Sequence, residues 1–89
     1  MRVEALLFGR PRELAGSSRE DVVLPPGSSL ADLFQSLGSK HGPLLASELG
    51  RTEALIILIN GRDYGLLGGM SAPLKGDDTV AVFPIAGGG

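Results

Sequence analysis

Chemistry in this 89-residue chain concentrates at its end, in Gly87-Gly88-Gly89. An apolar run, Val80-Ala81-Val82-Phe83, reads as a strand, breaks at Pro84 and continues through Ile85-Ala86 into the glycines. Glycine has no Cβ and tolerates nearly all backbone angles, so such an arm can enter a channel too narrow for side chains. Read as a terminus, Gly89 presents an α-carboxylate, which with a pKa near ~3.5 is ionised and a poor electrophile. It becomes an acyl donor only when another enzyme activates it. The expectation is therefore a substrate held out by a folded body, with Ala86 to Gly89 reaching about 13 Å at ~3.3 Å per residue. The competing expectation is a passive chain end.

The remaining side chains offer little chemistry. His41 is the only histidine and cysteine is absent, which removes thiolate nucleophiles, disulfides and most metal-ligand sets. His41 reads as polar surface at a helix end. Gly38-Ser39-Lys40 lacks the earlier glycine of a phosphate loop and closes a helix instead of opening one. Gly65, Gly68 and Gly69 lack the strand–glycine–helix context of a dinucleotide site. Asp77 and Asp78 read as turn residues, and Arg10 and Arg12 as solvated loop charges able to pair with an acidic partner surface. No metal site, bound cofactor or active site of its own is expected.

Several elements must carry the arm. Val3–Phe8 alternates and ends at Gly9 and Pro11. Arg12–Gly16 allows one helical turn closed by glycine, and Arg19–Leu24 is a second strand stopped by Pro25-Pro26-Gly27, giving a hairpin with a longer loop. Ser28 or Ser29 caps a helix whose Leu30, Leu33, Phe34 and Leu37 form one stripe. Gly38 is expected to weaken or end it. Pro43–Leu49 is a second short helix ended by Gly50. Ala54–Ile59 is apolar throughout and reads as a strand buried on both faces. Asn60-Gly61 signals a tight turn, Arg62–Leu67 a short returning strand, and Thr79–Phe83 the last strand. One helix packed across one mixed sheet of four to five strands is a two-layer α+β domain. If the first strand pairs beside the last, the arrangement is the β-grasp of ubiquitin; sequence order alone allows other sheet orders. The division expected is a body over residues 1–84 and a flexible glycine tail over 85–89.

Composition sets outer bounds. A single small domain with 43% hydrophobic residues can bury a core. A net charge of −2 without runs of like charge argues against a nucleic-acid partner. Met1-Arg2-Val3 runs straight into a strand-like segment without a leader pattern, and Ala54–Ile59 is far short of the ~20 apolar residues that cross a bilayer. The expectation is a cytoplasmic protein with no membrane association.

Three stretches carry a family resemblance. Leu7 through Gly16 resembles the "F-x-x-x-R-E-L-x-G" opening of the small subunit of molybdopterin synthase, the MoaD family. Leu58-Ile59-Asn60-Gly61 resembles that family's "V-N" turn, and Leu74 through Gly89 is similar to its "L-x-D-G-D-x-V-x-x-F-P-P-x-x-G-G" close. Ile85 stands in place of the second proline, Gly87 adds a glycine, and the turn reads Lys75-Gly76-Asp77-Asp78. Arg62–Gly69 is longer than in bacterial MoaD and looks more like archaeal small modifier proteins and the ubiquitin-related modifier. The thiamine sulfur carrier, ThiS, fits less well because it is usually shorter between helix and central strand.

The resemblance implies a β-grasp sulfur carrier that is not itself an enzyme. An adenylating enzyme of the MoeB type would activate Gly89 with ATP, a sulfur donor would leave a thiocarboxylate there, and a large MoaE-like synthase subunit would receive the tail for molybdopterin synthesis. Gly88 and Gly87 would thread the cleft. Attack by a lysine amine instead would make the chain a ubiquitin-like modifier, and tRNA thiolation is a further destination for the sulfur. A binding module with a passive glycine end is the alternative of another class. A partner must also hold the body. Alternation places Val80 and Val82 toward the helix and Phe83 outward, beside Phe8 and near Ile85, with Leu66 or Leu67 adding to a docking patch. The competing reading makes Phe8 and Phe83 core.

Overall fold

The computed structural model describes residues 1–85. Its strands are β1 (Arg2–Leu7), β2 (Arg19–Val23), β3 (Leu55–Ile59), β4 (Arg62–Asp63) and β5 (Thr79–Pro84). Three helices intervene: α1 (Gly9–Ala15) between β1 and β2, then α2 (Leu30–His41) and α3 (Pro43–Gly50) before β3. The sheet order is β2-β1-β5-β3-β4. β1 and β5 are parallel and every other pairing is antiparallel. The first strand thus lies beside the last, which is the β-grasp arrangement.

Local chemistry accounts for the elements. At the start of α2, the Ser29 hydroxyl accepts from the Asp32 N–H while the Asp32 carboxylate accepts from the Ser29 N–H. This reciprocal cap satisfies two donors that the first helical turn leaves unpaired. Leu30, Leu33, Phe34 and Leu37 then face the sheet and are buried. The stripe meets Val3, Ala5 and Leu7 of β1, Ile57 and Ile59 of β3, and Val80 and Val82 of β5, in one core cluster. Burying each such aliphatic side chain contributes about 1.5–3 kcal/mol before entropy is charged against it.

The structure corrects four expectations. α2 does not end at Gly38 but continues to His41. Gly38 is where α3 crosses, and a Cβ there would lie 2.8 Å from the Ala46 Cβ, so glycine permits the close helix packing. The returning strand is only Arg62–Asp63. Tyr64–Leu67 forms a 3₁₀ turn opened by the Asp63 carboxylate, which accepts from the Gly65 N–H. Arg10 and Arg12 sit on α1 rather than in a loop. Last, β3 is not buried on both faces: Leu55, Ile57 and Ile59 are buried, whereas Ile56 and Leu58 are half-buried on the other side of the sheet. Its apolar run looked continuous because the second face is apolar too, without being covered.

Candidate functional site

All helices pack on one face of the sheet, so alternation sends every second residue of β1, β3 and β5 to an open face. Cross-strand register then builds rows on that face. Leu58 pairs with Ala81, which pairs with Leu6. Ile56 pairs with Phe83, and Phe8 continues β1 to the far side of that ring. The two phenyl rings meet edge to face with centroids 5.7 Å apart and planes at 85°, the orientation that aligns a positive ring edge with a negative face. Ala81 is a low point between Leu58 and Leu6. The six side chains form an apolar band across three strands.

Polar groups bound the band at the end where β5 begins. Glu4 pairs with Thr79 across the parallel ladder and accepts hydrogen bonds from Arg19 and from the Thr79 hydroxyl. At the other end, β5 stops at Pro84, paired with Leu55. Phe8 is 44% and Ile85 57% exposed, so the apolar band and the root of the tail share one solvent-facing corner. Contiguous exposed apolar surface beside a chain end is what a docking partner would cover.

The placement of the expected site residues is uneven. Phe8 and Phe83 are brought together on the open face, with Ile85 following directly. Leu66 is 83% exposed on the turn after β4, across β3 from β5. Leu67 is turned toward the core and lines a depression with Asn60, Lys75 and Asp78. These two leucines therefore do not extend the Phe8–Phe83 pair. The side chains that do are Leu6, Ile56, Leu58 and Ala81, which sequence reasoning missed. The available signal was the length of the apolar run 54–59 combined with an alternating β1. Gly87, Gly88 and Gly89 lie outside the described residues.

A second polar cluster sits on the helix side, and it corrects the expectation for His41. The His41 side chain is only 15% exposed and its Nε2 lies 3.1 Å from Glu20 Oε1. Lys40 Nζ donates to the same oxygen at 3.0 Å, and the Ser17 hydroxyl donates to the other one. The Ser17 hydroxyl, foremost, with Lys40 and His41, holds the Glu20 carboxyl down to about 2 against the opposing effect of burial. The carboxylate stands between serine and imidazole, so His41 cannot take the Ser17 proton and no nucleophile is activated. The cluster ties the start of β2 to the end of α2. Among the described residues, no group of three metal-ligating side chains is present, and no helix is long and apolar enough to cross a membrane.

This geometry has known counterparts. The model of the ThiS family matches residues 5–89. The chain belongs to the ThiS family. Its fold is similar to that of the small archaeal modifier protein SAMP1 from Haloferax volcanii, with 26% identity, full coverage of both chains and a TM-score of 0.82. A putative molybdopterin converting factor, subunit 1, from Pyrococcus furiosus is 28% identical over 94% of this chain and 97% of its own, with a TM-score of 0.74. CysO from Amycolatopsis orientalis, in complex with BexX, shares the fold at 21% identity and a TM-score of 0.75, covering 98% and 99% of the two chains. No curated protein matches the chain in sequence. The chain thus has the ubiquitin-like fold of a family that includes small sulfur carriers and modifiers.

Proposed function

We propose that this ThiS-family chain carries sulfur as a C-terminal thiocarboxylate on Gly89 and delivers it to molybdopterin synthesis. The observation that supports the reading is the open apolar face, Leu6, Phe8, Ile56, Leu58, Ala81 and Phe83, centred on β5, the strand that precedes the glycines in sequence. In this reading an adenylating enzyme of the MoeB type covers that face. The Gly89 carboxylate attacks the α-phosphorus of ATP and pyrophosphate leaves. Hydrosulfide delivered by the sulfur donor then attacks the acyl carbon, AMP departs, and loss of the remaining S–H proton leaves a thiocarboxylate. The chain supplies position and a terminal acyl group, and ATP stays with the partner. A MoaE-like subunit then accepts the tail.

A second reading, a ubiquitin-like modifier or a carrier for tRNA thiolation, draws on the likeness to SAMP1 and on the turn over Tyr64–Leu67. Intact mass separates the readings. The chain is co-expressed with its adenylating enzyme and a sulfur donor. Replacement of one oxygen by sulfur at Gly89 supports the carrier. Lysine-linked adducts favour the modifier, and an unchanged mass would leave a passive β-grasp module. Delivery to molybdopterin is tested by adding a MoaE-like subunit and the sulfur-free pterin precursor, and failure to form the dithiolene product removes that destination.

A further inference from the structure

β2 is an outer strand of the sheet, and its free edge has a definite hydrogen-bonding phase. The Leu24 N–H donates to the Met1 carbonyl at 2.8 Å, and the Leu7 N–H to the Ser18 carbonyl at 2.9 Å. Val3–Val22 and Ala5–Glu20 are the pairs in phase between them, so the even-numbered residues of β2 direct their main-chain groups at β1. Antiparallel pairing alternates. Arg19, Asp21 and Val23 therefore point theirs out of the sheet, where no further strand pairs with them. Their side chains lie on the open face: Val23 is 78% exposed and the Arg19 side chain 70%.

Charged side chains ordinarily blunt such an edge. On β2 they are left out of balance. Glu4 and Asp21 stand directly opposite each other in the β1–β2 ladder, a like-charged pair that weakens it. Arg19 answers half of this by donating to the Glu4 carboxylate. Asp21 has no ion-pair partner among the described residues. It shares a small concavity with Glu4, Asp77 and Thr79, and with an Arg2 that forms no ion pair with it. A carboxylate at an open edge beside two others favours a cation brought from outside.

We propose that the occupant of this edge is β2 of a second copy of the chain, paired antiparallel about a two-fold axis at Glu20. Such a contact uses the same residues in both directions. Arg19 of each copy then lies opposite Asp21 of the other, each pair exchanging both main-chain bonds with opposite charges side by side. Neighbouring registers lack this match. An axis at Asp21 opposes two carboxylates and one at Arg19 opposes two guanidiniums. An axis at Val22 sets Arg19 against Pro25, which has no N–H to give. The Glu20 axis does bring the two Glu20 residues opposite each other on the helix side. Each is already turned to Ser17, Lys40 and His41 of its own chain. The seam is short, so association is weak and concentration-dependent. β1 separates it from β5, and the Phe8–Phe83 band stays open. The dimer lies beyond the carrier reading and does not depend on it.

Sedimentation equilibrium up to the millimolar range measures the self-association, and amide hydrogen exchange locates it. As concentration rises, the Arg19 and Asp21 amides should gain protection, while the Glu20 and Val22 amides, bonded to β1, keep theirs unchanged. Arg19→Asp and Asp21→Arg should each weaken self-association at least about 10-fold, because symmetry turns two attractive pairs into two repulsive ones. Asp21→Arg also sets a cation opposite Glu4, so its Tm should not fall. Mixing the two variants should restore wild-type affinity as a heterodimer, because every pair across the seam is then one carboxylate against one guanidinium. A wild-type chain that stays monomeric throughout, variants that self-associate as wild type does, or a mixture no tighter than its components would each overturn the proposal. None of these outcomes bears on adenylation of Gly89, which is measured separately.

Discussion

Replacing Phe83 by alanine tests whether the open face is a docking surface or part of the core. The ring lies on the uncovered side of β5 and meets Phe8 edge to face at 5.7 Å. Its β-strand neighbours Val82 and Pro84 point the other way, and Val82 is fully buried. Truncation therefore removes the ring–ring contact, about 0.5–1.5 kcal/mol, and a partial contact with Ile56, but opens no cavity under the helices. About 1 kcal/mol in a domain of this size moves Tm by roughly 4–8 °C. An aromatic anchor at a protein interface costs at least about 2 kcal/mol on truncation, which is about 30-fold in Kd. Calorimetry supplies both quantities, melting for the free protein and titration into the adenylating enzyme. The expected pattern is a loss of roughly 4–8 °C in Tm with affinity reduced about 30-fold. A fall in Tm beyond about 15 °C, with the Kd of the folded fraction unchanged, would show that Phe83 acts as core and would refute the argument.

Two further outcomes follow from the same structure. Gly88→Leu should abolish adenylation by the activating enzyme while leaving Tm within about 1 °C, since the substitution alters none of the buried core residues; normal adenylation would show that the channel does not demand glycine. The pH dependence should be governed by Glu20. Its carboxyl falls from 4.5 to about 2 on folding, so its stabilising contribution is fully present above pH 4.5 and is lost as pH falls toward 2. The corresponding maximum is about 3 kcal/mol at neutral pH, reduced by solvent on the exposed Lys40 side. Glu20→Gln should therefore lower stability by about 1–3 kcal/mol at pH 7 and flatten the loss between pH 4.5 and 2. Chemical denaturation across that range is the measurement, and parallel pH curves for the two proteins would contradict the assignment.

Much of the body was legible because it rests on short-range rules. The cap at Ser29 needs only Asp32 three residues on, and the α2 stripe is a matter of 3.6-residue spacing. Val80 and Val82 face the core by simple alternation. The pairing of Phe8 with Phe83 was also anticipated, since both strands end at the same corner once β1 lies beside β5. The length of β4 was not legible. A carboxylate at position 63 captured the Gly65 N–H and turned the chain into a 3₁₀ turn, a local competition that strand-like side chains do not reveal. His41 was misread because its partner, Glu20, is 21 residues away.

The linear chain by itself determined that a run of glycines follows a strand, that cysteine chemistry is absent and that one amphipathic helix must cover a sheet. These are properties of residue type and nearest-neighbour spacing. Only tertiary structure decided which apolar residues stay uncovered. Ile57 and Leu58 are equally greasy neighbours, yet one is buried by α2 and the other faces outward, because all the helices lie on one side of the sheet. It also decided where the described pairing of that last strand reaches, since its final rung depends on an Ala54 carbonyl 31 residues away in sequence from Ile85. Side-chain identity sets what can be buried; the closure of distant strands sets what is.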